Sequence, residues 1–75
     1  MIFFRSKAQK ELDFILEELK QFLQNNYKDQ AHSCRKKLLA QADMYYKEGK
    51  LTAAQYRHYE QIYKHYTKMM EDYHH

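Results

Sequence analysis

The last third of the chain repeats large, mostly aromatic residues at the spacing of a helix that packs against other helices. Successive members are three, four, three, four and three residues apart. This tyrosine stripe consists of Tyr56, Tyr59, Tyr63, Tyr66, Met70 and Tyr73. A mean period of about 3.5 residues keeps the side chains on one helix face, where partner helices can cover them. No other feature restricts the fold of the chain as strongly.

The stripe has two interpretations, because each tyrosine ring carries a hydroxyl group that needs water or a hydrogen-bond partner. The rings can line the core with their hydroxyls at its edge, or they can form a groove for a partner, since tyrosine is enriched at interfaces. We expect most of the stripe to be core and a minority of its rings to be partly exposed. The rings that we consider for partner binding are Tyr59, Tyr66 and Tyr73.

The first helix is predicted from an apolar stripe that begins soon after the N-terminus. Its members follow the helical period, with Ser6 as the expected N-cap. They are Ala8, Leu12, Ile15, Leu16, Leu19, Phe22 and Leu23. The second helix has a comparable apolar face, which includes Cys34 and the stem of Arg35. We expect Cys34 to be a buried small apolar residue, and Arg35 to pair with a carboxylate of the first helix or a tyrosine hydroxyl.

Two short breaks separate the predicted helices. Asparagine tolerates the left-handed conformation that ends helices, so Asn25 and Asn26 mark the first break, with Asn26 also expected to cap the second helix. Gly49 lies where a glycine after a helix end is common. Thr52 and Gln55 then have the spacing of a capping box at the start of the third helix.

These elements predict an all-α fold, an antiparallel up-down-up three-helix bundle with helices at about 6–24, 27–48 and 53–73. The absence of proline and the single glycine argue against a β architecture, which needs many turns. An alternative is a long helical hairpin with a loosely attached first helix, completed by dimerisation. With 75 residues, the chain is expected to form one domain, 1–75.

Size and composition limit the classes of function. A bundle this small leaves no room for an enclosed substrate cavity, so we expect neither an enzyme nor a small-molecule substrate, cofactor or metal. The lone cysteine, Cys34, favours a reducing cytoplasm, and no stretch approaches the roughly 20 apolar residues of a membrane span. The net charge of +3 permits an acidic partner or nucleic acid without requiring either.

Two surface features indicate what the chain binds. Arg57, Lys64 and Lys68 share the polar face of the third helix and could follow a phosphate backbone, although a solvated outer face is the commoner meaning of such a stripe. Phe3 and Phe14 fall opposite the apolar stripe of the first helix if that helix reaches back to Phe3, and could mark a dimer contact. We therefore expect a module for protein interaction or self-association through aromatic surface. The alternative is a small nucleic-acid-associated accessory protein.

Overall fold

A computed structural model describes residues 5–71, which form the predicted three-helix bundle. The helices are α1 (Lys7–Gln24), α2 (Lys28–Lys47) and α3 (Ala53–Glu71). Each boundary lies within two residues of the sequence prediction. The short connections make α2 antiparallel to both of its neighbours, so α1 and α3 run in the same direction. Phe3 and Tyr73 lie outside the described residues.

Capping boxes start both of the flanking helices. The Ser6 hydroxyl accepts a hydrogen bond from the Gln9 amide at 3.2 Å, and the Gln9 side chain accepts one from the Ser6 amide at 3.1 Å. Thr52 and Gln55 exchange the equivalent bonds before α3, at 3.1 and 2.9 Å. These bonds satisfy amides that the first turn of a helix leaves without partners. Helix α2 differs, because its N-cap is Tyr27 and no side chain caps it. The expectation that Asn26 caps α2 is therefore wrong.

The two helix-ending turns are built alike. Asn26 and Gly49 have positive φ angles of 59° and 75°. At the first turn the Tyr27 amide donates to the Phe22 carbonyl at 2.8 Å, and at the second the Lys50 amide donates to the Tyr45 carbonyl at 2.8 Å. At each turn the preceding amide also donates to the next carbonyl along the chain, Asn26 to Leu23 and Gly49 to Tyr46. These paired hydrogen bonds form a Schellman motif. Both breaks are therefore where the sequence predicts them.

The core consists of side chains from all three helices and the second turn. Its members are Ala8, Leu12, Ile15, Leu19, Ala31, Cys34, Leu38, Ala42, Tyr45, Leu51, Tyr59 and Met70. Of the tyrosine stripe, Tyr59 and Met70 are almost fully buried, at 1 % exposure each. The other described tyrosines of the stripe, Tyr56, Tyr63 and Tyr66, are only half-buried. The expectation that a minority of the rings would be partly exposed is therefore wrong.

Arg35 is buried, as its position in the apolar stripe predicts, but its partners differ from the predicted ones. Its Nη1 donates to the Thr67 hydroxyl at 2.7 Å, and its guanidinium lies 5.1 Å from the centre of the Tyr63 ring. It makes no ion pair with another described residue, and its Nε lacks a hydrogen-bond partner there. A cation over an aromatic face thus replaces the expected carboxylate or phenol hydroxyl.

Two negative findings apply to residues 5–71. No helix in this range is both long enough and apolar enough to span a membrane. Nor does the range contain a group of three or more His, Cys, Asp or Glu side chains arranged to hold a metal ion.

Candidate binding groove between the first and third helices

The three helices do not pack equally on one another. Both α1 and α3 pack directly on α2, but within the described residues no Cα atom of α1 lies within 8 Å of one of α3. Closely packed helices have axes only about 8–10 Å apart, so their nearest Cα atoms are less than about 8 Å apart. Helices α1 and α3 are therefore more widely spaced than closely packed helices, and they meet through side chains such as that of Tyr59.

A polar network connects α1 and α3 near the start of both helices. Arg5 Nε lies 2.6 Å from Asp13 Oδ2, and Arg5 Nη2 donates to the Tyr59 hydroxyl at 3.0 Å. The same hydroxyl donates to Asp13 Oδ1 at 2.8 Å. Burial, followed by the hydrogen bond to Asp13, raises the pKa of Tyr59 to about 12. The hydrogen bonds to Asp13 and Tyr59 also raise the pKa of Arg5.

Below the network lies a groove of about 370 Å³, here called the α1–α3 groove. Its lining residues are Leu16 and Lys20 of α1 with His58, Gln61, Ile62, His65 and Tyr66 of α3. Leu16, Ile62 and Tyr66 form an apolar floor and pack against the core while remaining half-buried. Seven residues beyond Leu16 and Ile62, on the same helix faces, Leu23 is half-buried and Met69 is 37 % exposed. By helical position, Leu23 and Met69 thus extend the same apolar faces beyond the residues that line the groove.

The rim of the groove carries nitrogen-bearing side chains. Lys20 lies on the α1 side, and His58, Gln61 and His65 lie on the α3 side. His58 and His65 are seven residues apart, so they share one flank of α3. Their rings meet the rings of Tyr59 and Tyr66 edge-on, at centroid distances of 5.4 and 5.2 Å. These contacts hold the two imidazoles at the edge of the apolar floor.

A second set of grooves runs between α1 and α2, and one of them has a volume of about 470 Å³. It is lined by Glu18, Phe22, Asp29, Gln30, Ser33, Cys34 and Lys37. Cys34 is buried as predicted, its thiol donates to the Ile15 carbonyl at 3.3 Å, and burial raises its pKa. Here α1 and α2 already pack directly on each other, and the lining mixes both signs of charge. We therefore regard the α1–α3 groove as the stronger candidate site.

The structure separates the residues that the sequence groups together for partner binding. Tyr59 belongs to the core, so its ring has no surface to offer a partner. Tyr66 lines the α1–α3 groove. Phe14 is 59 % exposed, but it lies on the other side of α1, beside Lys37 and Gln41 of α2. Phe14 and Tyr66 therefore do not form one surface.

The basic residues predicted for nucleic-acid binding, Arg57, Lys64 and Lys68, are all exposed on α3. They lie beside the histidine flank, separated from it by Gln61 on the helical wheel. Sequence reasoning did not identify Leu16, Lys20 and Ile62 as lining a groove. The available signal was Ile62, the one aliphatic side chain larger than alanine in α3 apart from its methionines. An isoleucine at the edge of a tyrosine stripe indicates a second apolar contact there.

A stacked pair of tyrosines lies where α2 ends and α3 begins. The rings of Tyr46 and Tyr56 are 4.7 Å apart and nearly parallel, at 14°. The Tyr56 hydroxyl donates to Asp43, and this hydrogen bond is the main cause that raises the pKa of Tyr56 to about 12. The pair ties α3 to α2 beside the second turn and leaves Tyr46 43 % exposed.

No family model matches the chain, and no curated protein or solved structure is significantly similar to it.

Proposed function

We propose that the chain is a small non-enzymatic binding module that receives a helix of a protein partner in the α1–α3 groove. One observation carries the proposal: α1 and α3 stand apart while the apolar side chains between them remain half-buried. Full burial of a leucine, isoleucine or methionine side chain contributes about 1.5–3 kcal/mol. The groove thus retains apolar surface that a partner can still cover.

The shape of the opening favours a helix as the occupant. Two parallel helices with an apolar floor between them form the kind of groove in which an amphipathic helix binds through residues at i, i+3, i+4 and i+7. A helix placed there would contact both α1 and α3 and complete a four-helix arrangement. The groove is a shallow surface channel, so it suits a protein segment better than a small substrate.

A second candidate function uses the neighbouring face of α3. Arg57, Lys64 and Lys68 are all exposed, so they remain free to contact phosphates. This face supports the alternative of a nucleic-acid-associated accessory protein. It is the weaker candidate, because phosphate contacts would leave the apolar floor of the groove unused.

Position-specific cross-linking in cells tests the proposed function. A photoreactive benzophenone amino acid at Gln61, on the groove rim, is compared with the same group at Lys36, exposed on α2 away from the groove. Both side chains are exposed, so neither replacement disturbs the core. We expect a nuclease-resistant cross-link to a protein from position 61, lost when Ile62→Glu is added. Equal cross-linking from both positions, or a product that nuclease removes, would contradict the proposal.

A further inference from the structure

Among the described residues that line the α1–α3 groove, the one with a formal charge is Lys20, while the carboxylate of Asp13 in the network above the groove is paired with Arg5. The lining that the structure describes contains no acidic residue; it contains Lys20 and the imidazoles of His58 and His65. Glu17, three residues before Lys20 on α1, accepts a hydrogen bond from Lys20 at 3.4 Å and is exposed. Such an exposed pair is weak and can exchange one carboxylate for another at little cost.

The positive character extends beyond the rim along α3. Arg57, Lys64 and Lys68 lie next to the histidine flank and are exposed. Helix α3 also carries Glu60 and Glu71, which lie on the side of Thr67 rather than on the groove side by helical position. An apolar floor is therefore bordered by cationic and imidazole groups, in a chain with a net charge of +3.

From this arrangement we infer that the partner segment is an acidic amphipathic helix. Its apolar stripe lies on Leu16, Ile62 and Tyr66, and its flanking Asp and Glu side chains pair with Lys20 and the α3 rim. This inference rests on the proposed function and specifies the chemistry of the partner. Complementary charge at a rim sets which partner is chosen and how fast it binds, while the apolar floor supplies affinity.

The length of the groove sets the length of the segment. From His58 to Met69 is eleven residues along α3, which is about 16 Å at the rise of an α-helix. About three helical turns of the partner are therefore enough to cover the floor. Anchors at heptad-related positions then meet Ile62 and Met69 in succession.

The most acidic helix of a second copy, α1, is unsuited to be this segment. The apolar stripe of α1, the most acidic helix, is already used in the core through Leu12, Ile15 and Leu19. The large apolar residue that α1 leaves exposed is Phe14, a single anchor without a heptad-related companion among the described residues. We therefore expect a different protein to supply the segment.

The test uses two fluorescently labelled synthetic peptides with the same leucine stripe and opposite polar faces, one rich in Glu and one rich in Lys. Each is about 18 residues long, because shorter helices are marginal in water. Binding to the full-length chain is followed by fluorescence anisotropy over a range of salt concentrations. We expect the acidic peptide to bind about tenfold more tightly than the basic one, with the difference shrinking as salt screens the charges.

A matched pair of variants assigns the effect to the rim. Lys20→Glu should weaken binding of the acidic peptide by about threefold, the size expected for an exposed ion pair. Lys36→Glu makes the same change of charge on the exposed surface of α2 and should leave the affinity as in the parent. Because both positions are exposed, circular dichroism should show the parental helicity in both variants.

The outcomes separate this inference from the proposed function. Equal affinity for the two peptides, blocked in both cases by Ile62→Glu, overturns the acidic partner while the helix-binding groove stands. Binding that Ile62→Glu leaves intact, no binding of either peptide, or a parent chain that dimerises through the groove in sedimentation also overturns it. Cross-linking from position 61 tests whether the groove binds a protein, independently of the peptides.

Discussion

At the residue scale, burial separates two leucines that the sequence treats alike. Leu16 and Leu19 both belong to the apolar stripe of α1, but Leu19 is 0 % exposed and Leu16 is half-buried in the α1–α3 groove. The helical period identifies the stripe but not its edges, because the edges depend on where neighbouring helices stand. A half-buried apolar residue is therefore the part of the candidate site that the sequence could not predict.

Alanine substitution at these two positions should give different losses of stability. Leu19→Ala removes a fully buried side chain and should lower the free energy of unfolding by about 2–5 kcal/mol. Leu16→Ala should lower it by clearly less, because water already reaches part of its side chain. Urea denaturation followed by circular dichroism measures both. Equal losses would mean that Leu16 is as well covered as Leu19 and that the groove is closed.

The buried hydroxyl of Tyr59 predicts a loss of stability at alkaline pH. Its pKa is raised from 10.0 to about 12 by burial, and then by the hydrogen bond to Asp13. Between these two values the unfolded chain releases a proton that the folded chain keeps, so the free energy of unfolding falls as pH rises. The stabilisation is complete below about pH 10 and is lost as pH passes about 12.

Comparison with Tyr59→Phe isolates this contribution. The variant lacks the ionisable hydroxyl, so its free energy of unfolding should fall less steeply over the same pH interval. Comparing slopes cancels any cost of the lost hydrogen bonds that does not depend on pH. Urea melts at several pH values give both slopes, and identical slopes would show that Tyr59 ionises as easily in the folded chain as in the unfolded one.

At the element scale, the sequence predicts the helix boundaries well because they are set by local chemistry. Asn26, Gly49 and the Thr52–Gln55 capping box each act within a few residues of the chain. The start of α2 is the exception. Tyr27 occupies the N-cap there because the preceding turn places Asn26 in the left-handed conformation, where it serves the end of α1 instead.

The two helix-ending turns allow a controlled test of backbone conformation. An added Cβ at Gly49 would meet no atom within 4 Å, so any cost of substitution comes from the φ angle of 75°. Gly49→Val should therefore destabilise the chain by at least about 1–2 kcal/mol, the penalty for a left-handed residue with a Cβ. Asn26→Gly is the converse change at the equivalent turn and should be neutral or slightly stabilising.

Thermal denaturation followed by circular dichroism compares both variants with the parent. A Gly49→Val protein that melts like the parent would show that the second turn can form without a left-handed residue. A large loss of thermal stability for Asn26→Gly would instead show that the Asn26 side chain has a role beyond allowing the left-handed backbone conformation.

At the scale of the whole molecule, the sequence predicts that three helices pack together but not how evenly they do so. Periodicity gives each helix an apolar face, and short turns make consecutive helices antiparallel. Neither determines the distance between α1 and α3, which are not consecutive. The contact of Arg35 with the Tyr63 ring, which joins α2 to α3, is likewise not implied by any spacing in the sequence.

Nucleic-acid binding depends on the total positive charge that the whole molecule presents on one face, so this charge distinguishes the two candidate functions. Each phosphate contact contributes a slope of about −0.9 to log affinity against log salt on duplex DNA, so three contacts give about −2.7. Arg57, Lys64 and Lys68 supply that number at most, and the net charge of +3 adds little further attraction. We therefore expect no retention of duplex DNA in gel-shift assays at physiological salt.

Any retention at low salt should disappear when Arg57, Lys64 and Lys68 are changed together to Glu, without loss of helicity, because all three are exposed. The same triple variant should still bind the acidic peptide through Leu16, Ile62 and Tyr66, although more weakly. Strong DNA binding that persists at physiological salt and is lost with the triple change would favour the nucleic-acid alternative. It would also assign the positive charge of α3 to phosphate contact rather than to the rim of a helix-binding groove.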